Sequence, residues 1–108
     1  MVTDADTEAL AEVYKAGSEP IRLQILAMLA HGELCVCHLH GALALPQPTV
    51  SRHLAILRHA GLVRPRRDGA WVHYALTPHA ERWLAPALAE WRADDQLHDR
   101  CCDARGCP

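Results

Sequence analysis

Residues 47–76 read QPTVSRHLAILRHAGLVRPRRDGAWVHYAL, and this stretch decides the fold. Pro48 suits the first turn of a helix, where its missing N–H has no intrahelical partner to lose. The spacing of Val50, Leu54 and Leu57 predicts one apolar face on a helix from Pro48 to about Ala60. Thr49 and Arg52 point away from that face, Ser51 and His53 lie on its flanks, and Gly61 ends the helix. Leu62–Arg67 and Ala70–Leu76 then read as two strands joined across Asp68-Gly69, a dipeptide that accepts the positive φ of a tight hairpin turn. Val72, Tyr74 and Leu76 alternate toward one face. Pro65 cannot donate to a ladder and marks its strand as an edge.

Upstream, Leu10, Val13, Tyr14 and Gly17 fall at helical spacing and predict a first helix over Asp4–Ala16. Ser18 is placed to cap a second helix and Pro20 fits its first turn. Ile21, Ile25, Met28 and Leu29 form the buried stripe of that helix, with Gly32 as its stop. A short third helix covers Cys35–Leu43, and Ala44–Gln47 is a turn punctuated by Pro46. Downstream, Thr77-Pro78 opens a last helix with a broad face of Trp83, Leu84, Ala87, Leu88 and Trp91. Pro86 should kink or split it, because it removes a backbone donor and clashes one turn back. The order is four helices, two strands and a helix over residues 1–100, followed by a cysteine-bearing tail over 101–108.

The chain has 108 residues, half of them apolar, which suffices for one packed domain. Nothing approaches the ~20 consecutive apolar residues of a membrane span, so no membrane partner is expected. The acidic start MVTDADTEAL lacks the basic and apolar segments of a secretory signal. The expected location is the cytoplasm, where thiols stay reduced. Five cysteines there suggest metal or redox chemistry rather than a disulfide framework. The net charge is −2, but its distribution is uneven. Asp4, Asp6, Glu8 and Glu12 make the start acidic, whereas Arg52, Arg58, Arg64, Arg66 and Arg67 face only Asp68 between positions 47 and 74.

Two helices joined by a turn, the second with a polar outer face, followed by a basic hairpin, describe a winged helix-turn-helix: mainly α, with a two-stranded β-wing. A helix fits the major groove, where base edges carry a distinguishable donor and acceptor pattern. Gln47, Thr49, Ser51, Arg52 and His53 occupy the reading positions. Arg64, Arg66 and Arg67 can reach phosphates or the adjacent minor groove. The alternative is a small α+β domain whose polar face meets only water. An enzyme is not expected: there is no Gly-rich phosphate loop, no nucleophile elbow and no oriented Cys–His pair. The Trp83–Trp91 face is wider than one small domain buries, which points to self-association. A two-fold dimer would present two reading helices roughly 34–36 Å apart and read an inverted repeat in double-stranded DNA.

ELCVC at Glu33–Cys37, QPTVSRHLAILRHAGLV at Gln47–Val63 and DGAWVHYAL at Asp68–Leu76 resemble the arsenical-resistance repressor (ArsR) family. The resemblance covers about Ser18–Leu76. It implies a homodimer held by the first and last helices, with Leu10, Val13, Tyr14, Trp83, Leu84, Leu88 and Trp91 at the interface. It implies operator binding without ligand and release on binding trivalent arsenic or antimony, with no organic cofactor.

Two cysteine groups compete for that ligand. In the family's pattern ELCVC commonly continues Asp-Leu-Cys; here His38-Leu39-His40 follows, and the third sulfur is missing. Residues two apart sit roughly 200° apart on a helix, so Cys35 and Cys37 can share an ion only where the chain is not helical. Cys101, Cys102 and Cys107 offer three sulfurs, the number trivalent arsenic takes, with Arg100 and Arg105 favouring thiolates. The tail set is preferred to the pair, and a mixed site is the third option. A zinc, cadmium or lead sensor and a thiol redox switch are the alternatives on the same scaffold.

Overall fold

The computed structural model describes residues 3–93. Their elements are α1 (Asp4–Ala16), α2 (Pro20–Leu29), β1 (Leu34–Cys35), α3 (Val36–Leu43), α4 (Gln47–His59), β2 (Val63–Asp68), β3 (Trp71–Leu76), α5 (Pro78–Trp83) and α6 (Ala85–Arg92). The first helix has the expected bounds. Thr3 caps it through a reciprocal box in which Thr3 Oγ1 accepts the Asp6 N–H at 3.1 Å.

The cap of α2 differs from expectation. Pro20 occupies the first helical position, which makes residue 19 the cap, and Glu19 Oε2 accepts the Arg22 N–H at 3.0 Å. Ser18 stands one residue too early; its hydroxyl donates back to the Lys15 carbonyl at 2.7 Å and closes α1 instead. Between α3 and α4 the chain turns through Ala44, which caps α3 in the left-handed region at φ 55°. The Ala44 and Leu45 N–H groups reach back to the Gly41 and His40 carbonyls, so the tight turn is hydrogen-bonded. Pro48 lies in the first turn of α4, as its chemistry requires.

Val50, Leu54 and Leu57 of α4 are fully buried and meet Ile25 and Leu26 of α2, Leu39 of α3 and Leu62 in one cluster. Burying each such side chain contributes about 1.5–3 kcal/mol. That common core fixes where the outer face of α4 points.

The sheet has three strands rather than two, in the order β1-β3-β2, all antiparallel. β1 is only two residues long and pairs Leu34 with Tyr74 and Cys35 with His73. β2 is an edge, as Pro65 requires, and its register runs from Val63 opposite Leu76 to Asp68 opposite Trp71. Gly69 supplies the positive φ of the hairpin turn. Pro86 does split the last helix. The break falls at Leu84, and Pro86 sits in the first turn of α6, where it costs no hydrogen bond. Arg92 fastens α6 by donating from Nε to the Ala30 carbonyl at 2.9 Å and by pairing with Glu81. No described helix is long and apolar enough to cross a membrane.

Candidate nucleic-acid interface and thiol site

The turn at Ala44 and the buried Val50–Leu54–Leu57 stripe leave the N-terminal part of α4 facing outward. Gln47, Ser51 and Arg52 are exposed and Thr49 is half-buried. His53, expected beside them, turns inward. Its side chain is 12% exposed, with Nδ1 3.4 Å from an Arg22 guanidinium nitrogen and 3.8 Å from Glu19 Oε2. Arg22 in turn donates to the Ala16 carbonyl at 2.6 Å. His53 therefore belongs to a joint between α1, α2 and α4. The acidic member of that joint, Glu19, carries no signal in helical spacing or motif that would mark it as a neighbour of His53.

On the wing, Arg64, Arg66 and Arg67 are all exposed. Strand alternation puts Arg64 and Arg66 on one face and Arg67 on the other. Arg66 is engaged within the chain: its Nε donates at 3.1 Å to both carboxylate oxygens of Glu33, and a second guanidinium nitrogen also reaches that carboxylate. The hydrogen bond from Arg66 is the main cause holding Glu33 below the ordinary carboxylate range, with the charges of Arg66, His73 and Arg64 acting in the same direction. Arg66 is raised in return, chiefly by the hydrogen bond to Glu33.

The thiol pair meets the geometric condition set by the sequence. Cys35 is not helical: it is extended (φ −80°, ψ 156°), ends β1 and caps α3, with its Sγ accepting the His38 N–H at 3.3 Å. Cys37 lies in the first turn of α3. The change from strand to helix brings the two Sγ atoms to 2.7 Å. Cys35 is 1% exposed and Cys37 is half-buried. A cleft of about 380 Å³ opens beside them, lined also by His40, by Gln47 and Ser51 of α4 and by Trp71 of the wing. The sulfurs and the outward residues of α4 thus share one cavity wall. No three His, Cys, Asp or Glu side chains gather to hold a metal ion among the described residues. Cys101, Cys102 and Cys107 lie outside the described residues.

Of the residues expected at a dimer interface, Val13 and Leu88 are each 1% exposed within the single chain and belong to its own interior. Leu10, Trp83, Leu84 and Trp91 are half-buried, and Tyr14 is 70% exposed on α1.

The fold and this surface define a winged helix-turn-helix transcription regulator. Residues 19–64 match the family model described as bacterial regulatory protein, arsR family. The arsenical resistance operon repressor of Escherichia coli is 45% identical over 87 residues, covering 79% of this chain and 74% of that protein. The homodimeric winged helix-turn-helix DNA-binding domain from Mycobacterium bovis superposes with a TM-score of 0.71 at 33% identity, covering 92% of this chain and 97% of that one. HlyU from Vibrio cholerae superposes with a TM-score of 0.69 at 32% identity, covering 89% and 98%. The chain belongs to the arsR family of bacterial regulatory proteins. The family is one of regulatory proteins, not enzymes.

Proposed function

We propose that the chain is a cytoplasmic, homodimeric repressor that holds inverted-repeat operator DNA and releases it when trivalent arsenic or antimony binds its thiolates. The observation that carries this reading is the convergence of Cys35 and Cys37 on a cleft shared with Gln47, Ser51 and Trp71. The name of the Escherichia coli relative and the homodimeric state of the Mycobacterium bovis domain support it. Gln47, Thr49, Ser51 and Arg52 meet base edges, and Arg64 and Arg67 meet phosphates. Tyr14 of α1 and the partly covered Trp83, Leu84 and Trp91 face the second subunit.

Soft thiolates suit arsenic and antimony better than imidazole does. The pair supplies two sulfurs, and one of Cys101, Cys102 and Cys107 supplies the third. Ligation withdraws Cys35 Sγ from the His38 N–H, removing the cap of α3 beside the helix that reads DNA. The ligand must bind the DNA-free form more tightly, and DNA must weaken ligand binding by the same factor, typically about 1–3 kcal/mol.

The test is operator binding by Cys35/Cys37→Ser and by Cys101/Cys102/Cys107→Ser, each with and without arsenite. Both variants should stay bound when arsenite is added, while the unaltered protein leaves. A Cys35/Cys37→Ser variant that still responds would contradict the role of the pair and leave the tail set alone as the sensor. A second reading rests on the closeness of the two sulfurs: oxidation joins Cys35 Sγ to Cys37 Sγ, and peroxide takes up the two electrons and two protons and leaves as water. Release by peroxide but not by arsenite would favour it.

A further inference from the structure

Glu33 is an acid placed among cations. Its carboxylate faces Arg66, with Arg64 and His73 close enough to act on its charge. The chain immediately after it is held by β1, whose Leu34 and Cys35 pair with Tyr74 and His73 of β3. Arg66 lies opposite His73 on the other side of β3, so Cys35, His73 and Arg66 form one row across the sheet. Glu33 reaches across that row to close a fork of hydrogen bonds on the guanidinium. Arg64 and Arg67 form no ion pair among the described residues.

A guanidinium fork binds carboxylate and phosphate by the same two-pronged geometry, so one fork serves one acceptor at a time. We propose that Glu33 is an internal competitor of DNA phosphate that holds Arg66, the wing's central cation, off the duplex. Arg66 is then a positioning residue, tying the wing to β1, and the phosphate contacts of the wing are left to Arg64 and Arg67. The consequence is weaker sequence-independent binding. Phosphate contacts supply nearly all non-specific affinity and carry no sequence information, so one fewer lowers the affinity for every duplex. The inference rests on the DNA-binding half of the proposed function and is independent of the inducer.

Salt dependence separates a cation on phosphate from a cation on carboxylate, because each phosphate neutralised steepens the fall of log K with log salt by about 0.9. The probe is a labelled mixed-sequence DNA duplex, titrated with the full-length protein over a salt series. Glu33→Gln should bind several-fold more tightly at low salt, with a slope steeper by about one. Arg66→Ala should leave the slope of the unaltered protein unchanged, and Glu33→Gln/Arg66→Ala should return to it. Arg66→Gln, which keeps a hydrogen bond to Glu33 and loses only charge, gives the same reading if the alanine variant does not fold. A shallower slope in either Arg66 variant alone would place Arg66 on phosphate already and overturn the proposal. So would a Glu33→Gln protein that binds with unchanged slope, the outcome of a merely structural bridge. A wild-type protein indifferent to duplex DNA would overturn the proposed function as well, which tells the two failures apart.

Discussion

His53 Nδ1 stands 3.4 Å from an Arg22 guanidinium nitrogen, a hydrogen bond that ties the helix expected to read DNA to α2. The Glu19 carboxylate has two roles, accepting the Arg22 N–H and facing His53. Arg22 holds the last carbonyls of α1. Three helices therefore meet at one small polar joint.

Removing the imidazole should act on stability and on all DNA sequences alike. His53→Ala is expected to cost about 0.5–1.5 kcal/mol, the value of a partly buried hydrogen bond, and to weaken binding evenly across a panel of single-base operator variants. His53→Gln should recover part of the loss. Urea denaturation and fluorescence anisotropy read the two effects; a selective loss at one base pair would instead assign His53 to base reading.

Arg52 is the opposite case, exposed on the outward face of α4. Arg52→Ala should relax selectivity at one base pair per half-site by about 1–3 kcal/mol. The same operator panel detects it. A uniform loss with a shallower salt slope would make Arg52 a phosphate contact.

Ala44 caps α3 at φ 55°, a conformation that L side chains pay for and glycine does not. Ala44→Gly should raise the stability of the fold by up to about 1 kcal/mol, seen as a higher urea midpoint with unchanged slope. A lower midpoint would mean that the Ala44 methyl contributes more packing than the backbone costs.

The Glu81–Arg92 pair predicts a small acid sensitivity. The hydrogen bond from Arg92 lowers the Glu81 pKa, so the pair's stabilisation is present above the unfolded carboxylate value and is lost as pH falls through the lower folded value. Both side chains are about half exposed, which limits the effect to below roughly 1 kcal/mol. Thermal melts from about pH 6 down to pH 3 should show a shallower acid decline for Glu81→Gln than for the unaltered protein.

Much of the fold was legible because its signals are local. Asp4–Ala16, the proline at the start of α4, the Asp68-Gly69 turn and the break near Pro86 each follow from a few neighbouring residues. The features that escaped are non-local. β1 has two residues and exists only because β3 lies beside it. That pairing is also what makes Cys35 extended and brings it to Cys37, so the thiol geometry followed from a strand with no periodicity of its own. Charge and position make Arg66 and His53 candidate DNA contacts, and their neighbours within the chain, Glu33 and Glu19, lie 33 and 34 positions away in sequence. Nothing in helical or strand spacing reports such pairings. The cap of α2 was missed by one residue, since Ser18 is the commoner cap type but Pro20 fixes the count.

The central claim is that sulfur ligation and operator binding oppose each other through one assembly. The most direct measurement is arsenite affinity of the reduced protein, free and saturated with operator duplex. The claim predicts weaker arsenite binding to the DNA complex, by the same factor by which arsenite weakens operator binding. Equal arsenite affinity in the two states would contradict it.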